Sequence, residues 1–485
     1  MKSSDWKALL RFLGILLIAE GGLMALCCIP AHHFNDGTMV PVAHCAAFTV
    51  AVGALLWVSF ARYRSIEDVR ISYLFVCLVW MAMSLFATLP LMATGATVDF
   101  SHAWFEAMSG VSATGATIFP YVSALPASVL LWRSIMQWFG GFGIILLVLA
   151  LSPRLGINKY SLYTAEASGA DNTGRKTLKT TVTVRRTLSV YLILTFAFIV
   201  MLWASGMQLW DAVNMTFTNI SSGGFSVSSD SIASFTHTQQ YILTGAMLMS
   251  GVNFTLIFFF FTLRWGSIGH KLDQFRVYIS IYVVAVAFVA IGLHMHNGQE
   301  WSDALRMSIV QTASALTTTG SVVDDTTMWW TPVCFLLLML SICGGMAGST
   351  SGGLKIMRIL ILWRNARTIL LNRLHPNAVN PVRLNGKPVS SHITNNVMVI
   401  FMVYGLSLML GVMILMLCGI SATEAIGATV GCLTGYGPGL GPSGGFGSYA
   451  AFSTSALWAC SFLMLLGRLE CMTVLILFLP RFWKR

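Results

Sequence analysis

Four short runs of small and hydroxyl-bearing residues share one composition. They read Ser112-Ala113-Thr114-Gly115, Ser221-Ser222-Gly223-Gly224, Thr317-Thr318-Thr319-Gly320 and Thr434-Gly435-Tyr436-Gly437. The chemistry open to such runs is cation coordination. A dehydrating cation exchanges water oxygens for protein oxygens, and backbone carbonyls with Ser and Thr hydroxyls supply them without a titrating charge. Turning successive carbonyls toward one axis requires backbone angles that glycine permits. One Thr-x-x-Gly is weak evidence, because a helix cap followed by a turn has the same composition. Four of them, recurring roughly every 100 residues, form a repeat at the scale of a structural unit.

The elements around the runs recur as well. Each run follows a short, moderately apolar segment and precedes a long apolar one. At one fixed offset ahead of the last glycine stand His102-Ala103, Asp211-Ala212 and Glu424-Ala425, and Asp303-Ala304 stands about one helical turn further from Gly320. Ser101, Ser302 and Thr423 are the expected N-caps. These segments fall short of the about 20 residues that span a bilayer core. Read as half-helices, they direct the negative ends of their dipoles at the runs, which favours a cation there. Irregular backbone at membrane depth is tolerated only where protein or water surrounds it, so four such loops around one axis would form a closed ring.

Composition agrees with this setting. The 485 residues are 56% hydrophobic and only 10% charged, against about 25% charge in a soluble domain. That excludes a disordered chain and argues against an ordinary soluble enzyme. Apolar segments near 9–31, 40–60, 71–94, 129–151, 187–206, 239–263, 277–295, 332–363, 395–419 and 453–479 are expected to cross a membrane. The first is expected to be a retained signal-anchor. Of the 29 Lys and Arg, all but Arg133, Arg306 and Arg468 fall in segments that this topology places in the cytoplasm, with both termini. The net charge of +11 then orients loops and calls for no nucleic acid. Outer segments carry Asp36, Asp99, Glu106, Asp211, Asp230, Glu300, Asp303, Asp324, Asp325 and Glu424, which raise the local cation concentration. The ten cysteines lie mostly in apolar runs and read as buried thiols. His294 and His296 form an HxH pair, but two ligands do not make a metal site.

The fold class expected is an all-α polytopic membrane protein, with four helix–pore-helix–helix repeats around a central pore plus two N-terminal helices. Its divisions are 1–66 for the leading helices, then pore repeats at 67–160, 161–270, 271–375 and 376–485. The third includes Cys343-Gly344-Gly345-Met346-Ala347-Gly348-Ser349-Thr350-Ser351-Gly352-Gly353. Each glycine there disfavours helix by about 1 kcal/mol relative to Ala. The segment is therefore an intramembrane break or a close helix contact through small residues. It is no phosphate-binding loop, since Gly353-Leu354-Lys355 lacks the adjacent Gly-Lys. Arg468 reads as an arginine mid-way along the last helix, a costly position that faces water or a partner. Facing a pore, it would repel cations. An ion pair with Glu470 is the alternative, although residues two apart on a helix do not face each other. Glu20 lies outside the repeats and receives no transport role.

Two other classes compete. A membrane-embedded enzyme would need clustered acids or a nucleophile with a base, and no such cluster or catalytic residue is apparent. A secondary transporter would carry inverted repeats around a midplane site, whereas these repeats share one orientation.

Together the motifs resemble the TrkH potassium-uptake subunits of the Trk/Ktr/HKT superfamily. The fourth run is similar to the Thr-Val-Gly-Tyr-Gly filter of potassium channels. Further matching stretches are Gln137-Trp138-Phe139-Gly140-Gly141, Gly223-Gly224-Phe225-Ser226, Gly344 to Thr350, Gly437-Pro438-Gly439-Leu440-Gly441 and Gly467-Arg468-Leu469-Glu470. Two leading helices and Phe482-Trp483 fit too, so the resemblance covers essentially the whole chain. It implies K⁺ uptake across a bacterial inner membrane, usually by a homodimer, with no organic cofactor. It makes the four runs the selectivity filter, with K⁺ at Thr114, Gly115, Ser222, Gly223, Thr318, Thr319, Gly435 and Tyr436. It makes Gly344, Gly345, Gly348, Ser349, Thr350, Gly352 and Gly353 a mobile gate beneath the filter, with Arg468 beside it. It also implies a cytosolic nucleotide-binding (NAD, ATP or ADP) regulatory subunit docking on the basic loops 152–187 and 364–394, which otherwise contact lipid headgroups. In related transporters Ser at the position of Gly115 goes with Na⁺ preference. Ser112-Ala113 stands where Thr-Thr is frequent and Thr434-Gly435-Tyr436 where Asn-Asn-x is frequent. Na⁺ or weakly selective K⁺/Na⁺ transport is the alternative.

Overall fold

A computed structural model describes residues 3–63, 68–151, 176–262, 272–377 and 380–483. The chain opens with α1 (Ser3–Leu26), a short α2 (Cys28–His33) and α3 (Met39–Ser59). Gly14 and Gly53 let α1 and α3 touch through their backbones, since a Cβ on either would meet the other's carbonyl oxygen. This is small-residue packing as found between membrane helices. The Asp36 carboxylate then ties the pair to the rest of the chain. It accepts from the Thr38 amide at 3.0 Å, the Thr38 hydroxyl at 2.6 Å and the Ser128 amide at 3.1 Å.

Four units of like order follow. The first has α4 (Val69–Ala93), the half-helix α5 (Phe100–Val111) and α6 (Ala127–Leu151). The second has α7 (Lys176–Ala204), the half-helix α8 (Leu209–Ile220), α9 (His237–Ser250) and α10 (Phe254–Phe261). In the third, α11 (Asp273–Asn297) and the half-helix α12 (Trp301–Leu316) precede α13 (Thr331–Cys343) and α14 (Ile356–Leu374). A two-residue hairpin, β1 (Arg383–Leu384) with β2 (Lys387–Pro388), leads to the fourth. That unit holds α15 (Ser391–Leu417), the half-helix α16 (Ala422–Thr434), α17 (Thr454–Arg468), α18 (Cys471–Leu475) and the terminal α19 (Pro480–Trp483).

Helices occupy all ten expected crossing segments. Six of them, among the described residues, are individually long and apolar enough to cross a membrane. The second helix of a unit is intact only in the first. In the second unit α9 and α10 meet at 107° across Gly251–Asn253, and in the fourth α17 and α18 meet at 111° across Leu469–Glu470. In the third, residues 344–355 are not helical, so the break expected from the glycine count is present. The half-helices begin slightly ahead of the expected caps. Asp99, Glu300 and Ser421 take the cap positions, and Ser101, Ser302 and Thr423 fall in the first turns. Asp99 wins at α5 because its carboxylate accepts the Ser101 amide at 2.9 Å. The third half-helix has 16 residues against 12 or 13 in the others, which accounts for its extra turn in the sequence.

The expected loop 364–394 is in part the end of α14, which continues to Leu374. Most of the other basic loop, 152–175, and the boundaries at 66/67, 160/161 and 270/271 lie outside the described residues. The apolar interior has two main parts. One joins the leading helices with the first and fourth units, and the other joins the second and third units and includes Tyr436 of the fourth.

Candidate functional site

Each half-helix ends at one of the four runs, and all sixteen loop residues have little or no exposure. The loops repeat one backbone conformation. The residue two before the last glycine is left-handed in every case, with φ of 53° at Ala113, 59° at Ser222, 53° at Thr318 and 73° at Gly435. The last glycine is left-handed too, with φ of 87°, 72°, 83° and 91° at Gly115, Gly224, Gly320 and Gly437. A left-handed residue other than glycine is uncommon, so the same strain at three homologous positions marks a conformation imposed by the surroundings. Alternating the hand of successive residues is what turns their carbonyls to one side.

The loops close on one another. A Cβ added to Gly115 would fall on the Gly223 carbonyl oxygen, one on Gly224 on the Thr319 oxygen, and one on Gly320 on the Tyr436 oxygen. One on Gly437 would meet the Thr114 oxygen at 2.6 Å. Each glycine thus faces the carbonyl of the residue before the glycine of the next loop, in the order one, two, three, four and back to one. All four glycines also line a single cavity, together with Arg133 and Tyr449. In this register Ala113, not Gly115, corresponds to Ser222, Thr318 and Gly435, so the first-loop pair equivalent to the others is Ala113-Thr114. Aligned on their last glycines, the four runs place Ala113 at the same position, and its left-handed φ agrees with that alignment.

The loop hydroxyls are engaged locally. Ser112 and Thr114 share a hydrogen bond of 2.7 Å, as do Thr317 and Thr319. Side chains from outside fix the loops. Tyr449 donates its hydroxyl to the Gly437 carbonyl at 2.8 Å, and Gln311 donates to the Tyr436 hydroxyl at 3.0 Å. Gln137 donates to the Gly223 carbonyl at 2.7 Å and accepts from the Phe225 amide at 3.0 Å. Arg133 forms a buried ion pair of 2.7 Å with Glu106, which also accepts from Thr117 and the Ile118 amide. None of these supports was legible in the sequence. A polar residue in an apolar helix does signal a partner, but not which one.

The 344–353 segment sits against the half-helix side of the ring. Thr350 shares a 2.7 Å hydrogen bond with Ser222 and donates to the Ile220 carbonyl at 3.0 Å. The Gly352 amide donates to the Thr318 hydroxyl at 2.6 Å, and the Gly353 amide to the Thr434 carbonyl at 2.9 Å. The segment therefore touches the second, third and fourth loops. Gly344, Gly348, Gly353 and Lys355 have positive φ, and Lys355 donates its ammonium to the Ser351 carbonyl. The bend after α9 docks the same segment. Asn253 donates to the Ala347 carbonyl at 2.6 Å, and the Gly251 carbonyl accepts from Met346 at 2.9 Å.

Arg468 requires a correction. It ends α17 at the bend and does not lie mid-way along a continuous helix. Its guanidinium donates to the Thr350 carbonyl at 3.1 Å and the Gly140 carbonyl at 2.9 Å. Among the described residues it pairs with no carboxylate. Glu470, with φ 61°, is turned by the bend toward Arg358 at 2.6 Å. Elsewhere, His294 and His296 stack on Trp301 and Trp330 at 4.2 and 3.8 Å between ring centres. Glu20 is buried, and its carboxylate has no hydrogen-bond partner among the described residues.

A family model described as "TrkH: Cation transport protein" matches residues 40–485. The chain belongs to the TrkH family of cation transport proteins. Its relatives agree end to end. It is 31% identical over 482 residues to the Trk system potassium uptake protein TrkH of Salmonella typhimurium, covering 99% of each chain. It is 32% identical over 489 residues to the Vibrio parahaemolyticus protein of that name, covering 99% of this chain and 100% of the other. The crystal structure of the potassium transporter TrkH from Vibrio parahaemolyticus superposes with a TM-score of 0.89 at 30% identity, over 99% of this chain and 100% of that one. Membership of TrkH makes the chain a multi-pass membrane transporter and not an enzyme.

Proposed function

We propose that this chain is the pore subunit of a potassium-uptake system. K⁺ travels along the axis of the four loops, coordinated by the carbonyls of Ala113 and Thr114, Ser222 and Gly223, Thr318 and Thr319, Gly435 and Tyr436. Gly115, Gly224, Gly320 and Gly437 shape the backbone that presents them. The observation that carries this reading is the cyclic contact of each glycine with the next loop's carbonyl, which needs four units around one axis. The half-helix ends add negative partial charge at the ring. The names of the relatives favour K⁺ as the transported ion.

The 344–353 segment is the gate. Its hydrogen bonds to three loops occupy the side of the ring a leaving ion must pass, and Arg468 holds it while adding a positive charge there. The relatives' Trk system naming supports work with other Trk components, and the family resemblance supports a homodimer and a cytosolic nucleotide-binding subunit. The site of action is a bacterial inner membrane, with both termini in the cytoplasm.

The test is cation flux into proteoliposomes holding the purified chain, with K⁺, Rb⁺, Na⁺ and Li⁺ compared at one fixed potential. K⁺ and Rb⁺ flux well above Na⁺ and Li⁺ is expected. Equal K⁺ and Na⁺ flux would replace the reading with a weakly selective transporter. No flux of any ion, even with the cytosolic nucleotide-binding partner added, would overturn the pore.

A further inference from the structure

One face of α6 runs along the second loop. Residues 133, 137 and 141 stand one turn apart on that face, and each meets the loop or the residues just after it. Gly141 leaves room for Ser221, whose Cβ lies 2.6 Å from where a Cβ on Gly141 would stand. Gln137 is fully buried and bonds the Gly223 carbonyl and the Phe225 amide with the two ends of one side-chain amide. Arg133 lies 4.0 Å from the centre of the Phe225 ring and donates to the Ser226 carbonyl at 3.2 Å.

The Gly223 carbonyl is one of the four that face a glycine of the neighbouring loop. Its counterparts are the carbonyls of Thr114, Thr319 and Tyr436. Among the described residues none of those three accepts a side-chain hydrogen bond, so the ring is chemically uneven at one position. The residue types agree. Thr, Thr and Tyr stand at the other three positions, whereas a Cβ on Gly223 would strike the amide carbon of Gln137. Glycine in the loop and glutamine in the helix are therefore two halves of one contact.

We infer that Gln137 is a specificity-determining positioning residue, setting from outside the pore the field of one of the four ring carbonyls. This rests on the pore reading above. An N–H donor on a carbonyl fixes its direction and draws on its electron density, so the field left for an ion is weaker. Selection among alkali cations depends on the number and field strength of the coordinating dipoles. A weaker field disfavours Na⁺, the more strongly hydrated ion, more than K⁺. Gln137 thereby shifts the ring toward the larger ion without touching it.

The experiment is proteoliposome flux at fixed potential for the full chain and for Gln137→Met, Gln137→Glu and Gly223→Ala. The first removes the donor at similar length. The second keeps an acceptor for the Phe225 amide and faces an oxygen toward the Gly223 carbonyl. The third displaces the Gln137 amide from the loop side. We expect the K⁺ to Na⁺ flux ratio to fall about fivefold in each, with Na⁺ flux rising relative to K⁺. A general structural role would lower both fluxes together and leave the ratio unchanged, and that result would overturn the inference. If Gln137→Met does not fold, the ratio in Gln137→Glu decides, and Gly223→Ala decides if neither does. A wild-type chain with no preference for K⁺ would replace the potassium reading with a weakly selective transporter and would refute this inference with it, whereas a selective wild type with unaltered variants would refute this inference alone.

Discussion

The backbone amide of Gly353 donates to the carbonyl of Thr434 at 2.9 Å. A group from the third unit thus occupies an oxygen at the foot of the fourth loop. On the proposed gate, an ion moving through that point requires the bond to break and the segment to withdraw. Gly352 is packed as closely, since a Cβ there would fall on the same Thr434 oxygen. Gly352→Ala is therefore expected to dislodge the segment and raise basal Rb⁺ flux several-fold. Flux at the wild-type level in folded protein would make the segment a packing feature.

Arg468 holds the segment through the Thr350 carbonyl and holds α6 through the Gly140 carbonyl. Each charge-assisted bond is worth about 1.5–3 kcal/mol. Arg468→Gln keeps a donor but removes the charge, and Arg468→Ala removes both. Basal flux should rise in the order wild type, Gln, Ala, as read by Rb⁺ uptake without any partner. A lower flux in both variants would argue against a barrier at this residue.

Gly115→Ser would place a side chain on the Gly223 carbonyl oxygen, at a residue whose φ of 87° already disfavours any Cβ. We expect lower K⁺ to Na⁺ discrimination in that variant. Equal discrimination in wild type and variant, measured as relative fluxes from one preparation, would count against the ring.

The Arg133–Glu106 pair is buried on both sides. Removing one partner of such a pair typically costs about 3–5 kcal/mol, because it strands the other charge. Arg133→Met should lower Tm sharply, with Arg133→Lys in between. Matching Tm values for the Met variant and wild type would show that Glu106 is satisfied by Thr117 and Ile118 alone.

Asp36, outside the spanning segments, gives a pH dependence. Burial pushes its carboxyl up, but the hydrogen bonds from Thr38 and Ser128 outweigh this and hold it below the ordinary value of 3.8. A carboxyl depressed in the fold contributes stability that is present above its unfolded value and lost as pH falls through the folded one. The Tm of detergent-solubilised wild type should thus decline as pH drops below about 3.8, and Asp36→Asn should lack that part of the decline. Parallel Tm curves for the two would assign the acid sensitivity to other groups.

Much of this was legible in the sequence, for a physical reason. A loop that needs left-handed residues and small side chains writes the same composition four times, and a half-helix too short to span repeats with it. The break at 344–353 was legible because five glycines in eleven residues penalise helix. The bends after Ser250 and Arg468 were not, because hydropathy averages across a bend that is apolar on both sides. The same bend decides the partner of Glu470: only the turn at Leu469 sends it to Arg358. The left-handed backbone at Ala113 was not legible either, since it is imposed by the surroundings and not by the residue type.

Because the four loops belong to one polypeptide, their ring has no obligatory symmetry. In an assembly of four identical chains a single codon changes every quadrant at once. Here each quadrant mutates alone, so Tyr436 in one, Gly223 in another and Thr at two more coexist in one ring. If the ring is the proposed ion path, ion preference can be adjusted in quarter steps, and the unequal corners give the passage a fixed rotational order that a symmetric pore lacks.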